Sequence, residues 1–309
     1  MELSEIEKRI QLIFGSCDKI EAIGNHHLKR HLVHRFFSKN KYYVMKLYFV
    51  KNRWNREVAS LRFFKNTEIL APIIDSYGIF EDGIEWMIYE YQEGVLLSEV
   101  VDEIPERALN ELYYQLGRQL GLIHTYREFD FFGSMNEKGI SINGFKTYRA
   151  YFEYRMETFL EEIFAFKHEK PGLIRKSLMQ IKSMYSILDE VQSGHLCHND
   201  FDERNILIDK IEGQYELKAI IDFEQCVPDD PDKELIYFYL PLKKGNRKLS
   251  EQFRSGYEEY RNIDEDRLLY KKDFYYLFKG IGICAWSKDV DYEYYLRGIS
   301  FLENALDIS

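Results

Sequence analysis

The chain has 309 residues, of which 45% are hydrophobic and 16% aromatic, so it is long enough for one large domain or two lobes with buried cores. The formal net charge of −10 argues against a nucleic-acid partner or an anionic membrane, which require a basic surface, and mildly favours a cationic partner. The four cysteines form no CxxC pair, so we expect no disulfides. No signal segment and no bilayer-spanning apolar run occurs, so we expect a cytoplasmic protein.

Apolar periodicity predicts that the chain begins with a helix and continues as a strand-rich unit. The first helix has apolar residues at helical spacing, and Ser4 with Glu7 matches the capping-box pattern. A weak candidate strand at residues 69–74 contains Pro72, which allows an edge strand at best. Stronger patterns predict strands at residues 20–23, 31–37, 42–48, 76–80 and 84–91, and a helix at residues 54–65. This N-terminal unit closes near Gly94.

Beyond Gly94 the pattern is mostly helical, with one interruption. Helices are predicted at residues 109–124, 145–165 and 172–192, and again from about residue 233. A β-hairpin separates them at residues 205–223, with its turn at residues 211–214. A strand-rich unit followed by a helical unit that contains a hairpin is a distinctive order of elements.

The most informative segment is HNDFDERN, residues 198–205, which is followed by IIDFE with Asp222 at its centre. Asp200 and Asn205 lie on one short loop, and Asn205 opens the first strand of the hairpin. Since Asp222 ends the second strand, the hairpin returns it to Asn205. Three oxygen-bearing side chains therefore converge at one strand end, where two suit Mg²⁺ and the third remains free to orient a hydroxyl.

HNDFDERN and IIDFE resemble the paired motifs of the aminoglycoside phosphotransferase and choline kinase family, small-molecule relatives of the protein kinases. The resemblance implies an α+β, bilobal, protein-kinase-like fold. Residues 1–93 would form an N-lobe with a small antiparallel β-sheet, and residues 94–309 a mainly helical C-lobe with the catalytic hairpin and the substrate site. The implied reaction is transfer of the γ-phosphoryl group of ATP or GTP to a hydroxyl of a small molecule.

The resemblance also implies roles for the residues of this loop and hairpin. Asp200 would accept or orient the proton of the attacking hydroxyl, and His198, the other member of the catalytic set, would support the loop. Asn205 and Asp222 would hold Mg²⁺ against the β- and γ-phosphates. A polar turn beside a hairpin is the alternative, but the spacing from Asp200 to Asn205 together with the Asp222 motif favours catalysis.

Lys46 is a charged residue within an otherwise apolar strand. Burying an ammonium group is costly unless it is paired, and Glu57 in the following helix is a suitable partner. The two resemble the strand lysine and the helix glutamate of kinases, in which the lysine contacts the α- and β-phosphates. The alternative is a solvated lysine on an edge strand.

The segment WMIYEYQEG resembles the strand that joins the two lobes of a kinase. Backbone groups near Glu90 and Gln92 would then bind the purine, and Tyr89 would lie at the back of its pocket. Because a phenol at that position crowds adenine, GTP is an alternative to ATP. Gly24 and Asn25 fall at the phosphate-covering loop, which has one glycine instead of the multi-glycine pattern of protein kinases.

Two further segments resemble the same family. DPDKEL would brace the catalytic loop through Glu234, and LGRQLGLIH ends at His124 like the leucine-rich helix of the family. Only a few residues separate IIDFE from DPDKEL, which leaves no room for the activation segment of a protein kinase.

Four of the eight histidines lie within nine residues. In loop and strand, such spacing does not bring the rings together, so we interpret them as solvated or near-phosphate residues and not as metal ligands. The four are His26, His27, His31 and His34.

The identity of the acceptor is open between several candidates. An aminoglycoside antibiotic is our first choice, which would make the protein a resistance enzyme, because acidic residues on helices expected near the acceptor could neutralise a polyamine sugar. Choline, ethanolamine, an amino sugar or another antibiotic would fit the same machinery, and a non-catalytic pseudokinase is the contrasting class. In each case we expect a monomer or a dimer. The acidic residues are Glu153, Glu157, Glu161, Glu162, Asp229, Asp230, Glu258 and Glu259.

Overall fold

The structure is a computed structural model that describes residues 1–24, 26, 29–165, 167–211 and 214–307. The predictions that concern Asn25, His27 and residues 212–213 of the hairpin turn lie outside the described residues.

A five-stranded antiparallel sheet and two helices form the N-terminal part. The strands are β1 (Asp18–Ala22), β2 (His31–Ser38), β3 (Lys41–Tyr48), β4 (Ile74–Ile79) and β5 (Glu85–Glu90), and the helices are α1 (Leu3–Phe14) and α2 (Arg53–Phe64). Their spatial order is β1-β2-β3-β5-β4, so β3 lies at the centre. Five strands and both helices are confirmed, whereas the weak strand at residues 69–74 is wrong except for Ile74, which begins β4.

The beginning of α1 differs from the predicted capping box. Glu2 takes the capping position in an extended conformation, and its carbonyl accepts hydrogen bonds from the backbone N–H groups of Glu5 at 3.0 Å and Ile6 at 3.2 Å. The helix therefore begins before Ser4, which lies within its first turn, and no side-chain cap forms. The capping-box prediction is wrong because the boundary is displaced by two residues.

The C-terminal part is mainly helical, as the pattern predicts. Its helices are α3 (Leu97–Val100), α4 (Glu106–Thr125), α5 (Tyr148–Ala165), α6 (Pro171–Ser183), α7 (Pro231–Gly245), α8 (Arg247–Tyr257), α9 (Glu265–Ser287) and α10 (Tyr292–Ala305). The helix predicted at residues 172–192 is shorter, because α6 ends at Ser183 and a 3-10 segment, Tyr185–Glu190, follows it. None of the described helices has the length and apolar character that crossing a membrane requires.

Two small sheets lie among these helices. Their strands are β6 (Val95–Leu96), β7 (Glu128–Phe129), β8 (Gly194–Cys197), β9 (Ile206–Ile211), β10 (Gln214–Ile220) and β11 (Val227–Asp229). The predicted hairpin is confirmed as β9 and β10, which pair antiparallel, with β6 on the outer edge of β9. The second sheet, in the order β11-β8-β7, was not predicted. It places β8, and hence the loop that follows it, beside β11.

Hydrophobic side chains connect the N-terminal sheet to the rest of the chain. Side chains alternate between the two faces of a strand, so the central strand β3 contributes to both sides. On one face Met45 packs with Ile6 of α1 in a small cluster. On the other face α2 enters a larger cluster through Val58, and this cluster continues to Leu116 of α4 and Phe274 of α9. The division at residue 93 stays a prediction, and a continuous core lies across it.

Helices α4 and α8 cross at a pair of glycines. A Cβ atom on Gly117 would lie 1.9 Å from the carbonyl oxygen of Phe253, and one on Gly256 would lie 2.0 Å from that of Tyr114. Real Cβ atoms do not approach backbone so closely, so these two helices can remain in contact only without side chains at the crossing.

We expect Gly117→Ala to lower the free energy of unfolding by about 1–3 kcal/mol, because the added methyl group must push α8 away from α4. Gly172→Ala is the matched control, since Gly172 lies in the first turn of α6 with no atom within 4 Å of an added Cβ. The control should be neutral or stabilising by up to about 1 kcal/mol. Denaturant unfolding of the two variants measures the difference, and equal stability would contradict the close crossing.

Candidate active site

Lys46 lies at the centre of a buried ion cluster. Its side chain is on β3 with 3% exposure. Its Nζ donates to Glu57 Oε2 and Asp222 Oδ1, each at 2.7 Å, and lies 3.3 Å from Glu224 Oε2. Burial lowers the pKa of this ammonium group, but the carboxylates of Asp222 and Glu57 outweigh burial and raise the pKa above its usual value. Lys46 is therefore a buried, paired cation and not a solvated edge-strand lysine.

The carboxylates around Lys46 are positioned by two separate elements. Glu57 projects from α2 and also accepts a hydrogen bond from the Tyr48 hydroxyl at 2.7 Å. Asp222 follows β10 with φ 65° and ψ 56°, a left-handed conformation in which aspartate and asparagine are enriched among residues other than glycine. Burial raises the pKa of Asp222, but Lys46 more than offsets this and holds the pKa below its usual value.

The loop after β8 is held by buried hydrogen bonds. Glu234 of α7 accepts from two successive backbone N–H groups, those of His198 at 2.9 Å and Asn199 at 2.6 Å. The His198 ring is buried, its Nε2 lies 2.9 Å from the Ile221 carbonyl, and its Nδ1 accepts from the Asp200 N–H at 3.3 Å. These contacts place His198 as a support of the loop, with both ring nitrogens used in backbone contacts.

Asp200 and Asn205 lie on the same segment, between the end of β8 and the start of β9. The Asp200 side chain is exposed, so its carboxylate faces open space. Asn205 Nδ2 donates to the Asp200 carbonyl at 2.8 Å, and the Asn205 carbonyl accepts from the Ile221 N–H at 2.9 Å. The hairpin therefore brings Asn205 next to the residue that precedes Asp222, and the structure gathers the three predicted polar side chains with Lys46 at one strand end.

Glu234 is itself held from behind by a second layer of contacts. His124 Nε2 lies 2.9 Å from Glu234 Oε2, and His124 Nδ1 lies 2.7 Å from the Tyr257 hydroxyl. Burial raises the pKa of Glu234, but its hydrogen bond with His124 outweighs burial and leaves the pKa below its usual value. The ends of α4, α7 and α8 thus meet at the carboxylate that fixes the loop after β8.

Glu224 and Arg53 adjoin this cluster but were not assigned to the site from the sequence. His31, interpreted from the sequence as solvated or near-phosphate, lies with them. Glu224 is the last residue of IIDFE, and its buried carboxylate pairs with Arg53 and lies 3.1 Å from His31 Nδ1. Burial, and next the charge of Lys46, lower the pKa of His31 to about 4, so the ring is neutral at physiological pH. The IIDFE motif could have indicated Glu224, whereas nothing in the sequence pattern links it to Arg53.

Oxygen ligands at this strand end fit a magnesium ion. Among the described residues, Glu57, Asp222 and Glu224 carry carboxylate oxygens within 4.8 Å of one another. All three contact Lys46, but the Asp222 side chain retains 26% exposure, whereas those of Glu57 and Glu224 are nearly inaccessible. Asp222, with the neighbouring Asn205 amide, is therefore the oxygen set open to a hydrated hard cation.

The strand that resembles the lobe-connecting segment is β5 with the residues after it. The Glu90 N–H donates to the Ile73 carbonyl at 3.2 Å, so it is engaged in the sheet. The Glu90 carbonyl receives the Gln92 side-chain Nε2 at 3.5 Å, a long contact that a better donor could displace. Burial raises the pKa of Tyr89, and the charge of Lys46 acts on the same hydroxyl in the opposite direction. Tyr89 is thus close to the Lys46 cluster.

The phosphate-covering loop was predicted at Gly24 and Asn25, and the structure describes the first of these two residues. Gly24 is exposed with φ +74°, a conformation that favours glycine, and Asn25 lies outside the described residues.

The histidines of the N-terminal cluster were interpreted as solvated or near-phosphate residues. Solvation is wrong for His34, which is 6% exposed, and the His26 ring lies against it with ring centroids 5.4 Å apart. Folding of β2 onto the preceding loop brings these two rings together.

Several acidic residues predicted near the acceptor are already paired. Asp229 pairs with Lys233, and Asp230 lies 3.1 Å from Lys271 Nζ and accepts a hydrogen bond from the Tyr275 hydroxyl at 2.5 Å. Both aspartates are buried, so they are unavailable to a cationic acceptor. Glu258 and Glu259 pair with Arg254 and Arg118, while the four glutamates of α5, Glu153, Glu157, Glu161 and Glu162, are exposed.

Comparison with known proteins identifies the family of the chain. The model of the APH family, described as the phosphotransferase enzyme family, matches residues 38–269. The chain belongs to this family. No curated protein matches it by sequence.

The fold is shared with solved aminoglycoside phosphotransferases. The crystal structure of APH(4)-Ia superposes with a TM-score of 0.78 at 16% identity, covering 100% of this chain and 99% of that one. The GDP and kanamycin complex of APH(2")-IIia gives a TM-score of 0.69 at 17% identity, with 99% of both chains covered. A ternary complex of an APH(4)-Ia mutant with AMP-PNP and hygromycin B gives 0.75 at 16% identity over 98% of both. The bilobal, kinase-like α+β fold is therefore confirmed.

Replacing His34 should change how stability depends on pH. Burial lowers the pKa of His34 to about 4 from 6.5, so between these values the unfolded chain binds a proton that the folded chain excludes. Stability from this group is complete above pH 6.5 and is lost as the pH falls toward 4, by up to about 3 kcal/mol.

We expect the curve of unfolding free energy against pH for His34→Phe to be flatter than that of the wild type between pH 6.5 and 4. Stability at pH 7.5 serves as the reference for any packing effect of the substitution. Parallel curves for the two proteins would contradict a buried neutral His34.

Proposed function

We propose that this protein transfers the γ-phosphoryl group of a nucleoside triphosphate to a hydroxyl of a small molecule. The supporting observation is that Lys46 pairs with Glu57 and Asp222, next to a hydrogen-bonded loop on which Asp200 is exposed. Phosphoryl transfer needs little covalent work from a protein, and this arrangement offers what it does need, namely positioning and charge.

Each residue has a separate task in this proposal. Lys46 would release part of its pairing with Asp222 and contact the α- and β-phosphates, while Glu57 keeps it oriented. Asp222 and Asn205 would hold Mg²⁺, which supplies neutralisation of charge on the β- and γ-phosphates. Asp200 would accept the proton of the acceptor hydroxyl as its oxygen attacks the γ-phosphorus. His198 would keep the loop in register without entering the reaction.

The nucleotide would lie against β5. The Glu90 carbonyl and the backbone of Gln92 would contact the purine, with Tyr89 at the back of the pocket and Gly24 in the loop over the phosphates; Asn25 is assigned to that loop from the sequence alone. Both ATP and GTP stay open as donors, since the solved relatives include complexes with AMP-PNP and with GDP.

An aminoglycoside is one proposed acceptor, because relatives of the same fold were solved with hygromycin B and with kanamycin. A metabolite hydroxyl is the second, and a specific observation favours it: two of the acidic residues expected to receive a polyamine are buried and paired. A pseudokinase would have no nucleotide-dependent turnover at all. Release of ADP or GDP by the purified protein with Mg²⁺, with and without acceptors, distinguishes the three.

Asp200→Ala should lower kcat by about two to four orders of magnitude, the usual contribution of a positioned general base, while nucleotide affinity stays within about twofold. Asp209→Ala, on β9 of the adjoining hairpin, is the matched control for loss of a carboxylate and should keep wild-type turnover. Steady-state release of the nucleoside diphosphate measures both variants. Turnover near the wild-type rate in Asp200→Ala would refute the role of this residue.

Asp222→Ala should weaken nucleotide binding at least about tenfold when Mg²⁺ is present and should remove the difference that a chelator makes in the wild type. The reason is that Asp222 is the most accessible of the three carboxylates. Calorimetric titration of ADP with Mg²⁺ and with EDTA measures both effects. Magnesium-dependent affinity equal to that of the wild type would sink the metal assignment.

A further inference from the structure

One loop of the C-terminal part lies along α2. This loop, residues 133–145, lies between β7 and α5, and we refer to it as the bracing loop. In the first turn of α2, Arg56 Nε donates to the Ser134 hydroxyl at 3.2 Å. In the last turn, Arg62 Nη1 donates to the Glu137 carbonyl at 2.7 Å. Both ends of α2 therefore form hydrogen bonds with the same loop.

The third contact is a close approach of Gly139 to the Phe63 ring. Gly139 has φ +79°, and a Cβ atom there would lie 2.1 Å from Phe63 Cζ. The ring is confined on other sides, since it stacks on Tyr126 with centroids 5.5 Å apart and the Arg127 guanidinium lies 4.6 Å from its centre. The bracing loop can approach α2 this closely only with glycine at this position.

Hydrogen bonds hold the bracing loop in this conformation. Asn136 Oδ1 accepts from the backbone N–H groups of Lys138 and Ile140, each at 3.0 Å. At the base of the loop, the Gly133 N–H donates to the Pro228 carbonyl of β11 at 2.9 Å. Because β11 pairs with β8, the bracing loop belongs to the same framework as the loop that follows β8.

The position of α2 decides where Glu57 lies. Glu57 follows Arg56 in α2, and its Oε2 accepts from Lys46 Nζ at 2.7 Å. Arg56 Nη1 also donates to Gln225 Oε1 at 3.3 Å, and the Gln225 carbonyl accepts from Asn199 Nδ2 at 3.3 Å. One arginine side chain thus connects the bracing loop and α2 with the segments on the far side of the site.

Other contacts of α2 do not replace those of the bracing loop. Trp54 Nε1 donates to the Trp86 carbonyl at 2.8 Å, which attaches the helix to the N-terminal sheet. Phe64 packs on Phe223 with ring centroids 5.2 Å apart, but Phe223 follows Asp222 and is part of the site itself. The bracing loop therefore adds contacts to the C-terminal part from outside the residues that the proposed reaction uses.

A kinase-like enzyme needs its strand lysine and helix glutamate in place together. Protein kinases control this through the position of the helix and phosphorylation of an activation segment. Only a few residues separate IIDFE from DPDKEL, so this chain has no room for such a segment and another element must hold the helix. The bracing loop makes its contacts through a hydroxyl, a backbone carbonyl and a glycine, none of which requires a modification.

We propose, on the basis of the phosphotransfer proposed above, that the bracing loop holds α2 where Glu57 orients Lys46 toward the nucleotide. Gly139 and Arg62 are then positioning residues, which act on the reaction through Glu57 without touching a substrate. Because the ion pair forms in the free protein, no phosphorylation or effector is needed to complete it.

Gly139→Ala tests the close contact. The added methyl group should displace the end of α2 and turn Glu57 away from Lys46. We expect the Kd for the nucleotide to rise about tenfold to a hundredfold, the worth of one charge-assisted hydrogen bond. Calorimetric titration with AMP-PNP and with GDP, each with Mg²⁺, measures the change.

Gly144→Ala is the matched control for this variant. Gly144 has a similar φ of +70° in the same loop, but no atom lies within 4 Å of an added Cβ. The two substitutions therefore impose the same backbone strain, and only one of them meets α2. The Kd of Gly144→Ala should stay within about twofold of the wild type.

A double-mutant cycle with Glu57→Gln separates positioning from general damage. Once Glu57 no longer orients Lys46, displacement of α2 has little left to disturb, so Gly139→Ala should change the Kd less than about threefold in that background. Phe63→Leu should restore most of the affinity of Gly139→Ala, because the shorter side chain leaves room for the methyl group. Equal effects of Gly139→Ala in both backgrounds would show a merely structural role and overturn the inference.

Arg62 provides a second variant in case Gly139→Ala unfolds in a thermal scan. Arg62→Met should raise the Kd about threefold to tenfold through loss of one hydrogen bond, and Arg62→Lys, which keeps a donor, should recover most of the affinity. Arg175→Met on α6, where the arginine is also exposed, is the matched control. Equal affinity of Arg62→Met and this control would contradict the bracing role.

Failure of this inference is distinguishable from failure of the proposed function. If the wild type binds nucleotide with Mg²⁺ but Gly139→Ala behaves like Gly144→Ala, the phosphotransfer proposal stands and the bracing role is overturned. If the wild type binds neither AMP-PNP nor GDP, the proposed function is overturned, and the bracing role with it.

Discussion

A buried ammonium group shared by three carboxylates is the interaction on which the geometry of the site depends. Removing a charge from water costs several kcal/mol, and each pair at about 4 Å returns about 4 kcal/mol in an environment of intermediate polarity. The pairing energy of a single carboxylate therefore does not clearly exceed the cost of keeping Lys46 charged and buried. Glu57 comes from α2, while Asp222 and Glu224 come from the segment after β10. The sheet, the helix and the hairpin must be in place together before the ammonium is stable.

The loop after β8, which carries the proposed base Asp200, depends on a different carboxylate, that of Glu234. Successive backbone N–H groups that point into a protein interior need acceptors, and a charged acceptor makes stronger hydrogen bonds than a neutral one. Each carboxylate oxygen of Glu234 accepts one of these hydrogen bonds, from the N–H of His198 or of Asn199. Asn199 has a left-handed φ of 63°, which the loop would readily lose without this contact. His124 holds Glu234 in turn. A loop fixed by hydrogen bonds, with the Asp200 residue exposed, is what a positioned base requires.

Much of this arrangement could be predicted because its signals are local. Alternation identifies the strands, the hairpin follows from two apolar runs around a turn, and a lysine inside an apolar strand requires a partner such as Glu57. The short strands β7, β8 and β11 have two to four residues, which is too few for a period to show.

Pairings between distant residues could not be predicted. Asp230 was predicted to be one of the acidic residues on helices near the acceptor. Its partners Lys271 and Tyr275 lie on α9, some forty residues further on, and their contact with Asp230 becomes visible only when the helices pack. The pairing of Glu224 with Arg53 is similar. A single sequence shows which charges exist, whereas the fold decides which of them are neutralised.

The net charge illustrates the same limit for substrate choice. A total of −10 is a sum over the whole surface, but in physiological salt a charge is felt over a Debye length of only about 8 Å. Exposed glutamates on α5 can therefore attract a cation toward the protein and speed its encounter, without contributing much once it reaches Asp200. Overall charge thus governs approach, whereas the local set of charges around the site governs which acceptor remains bound.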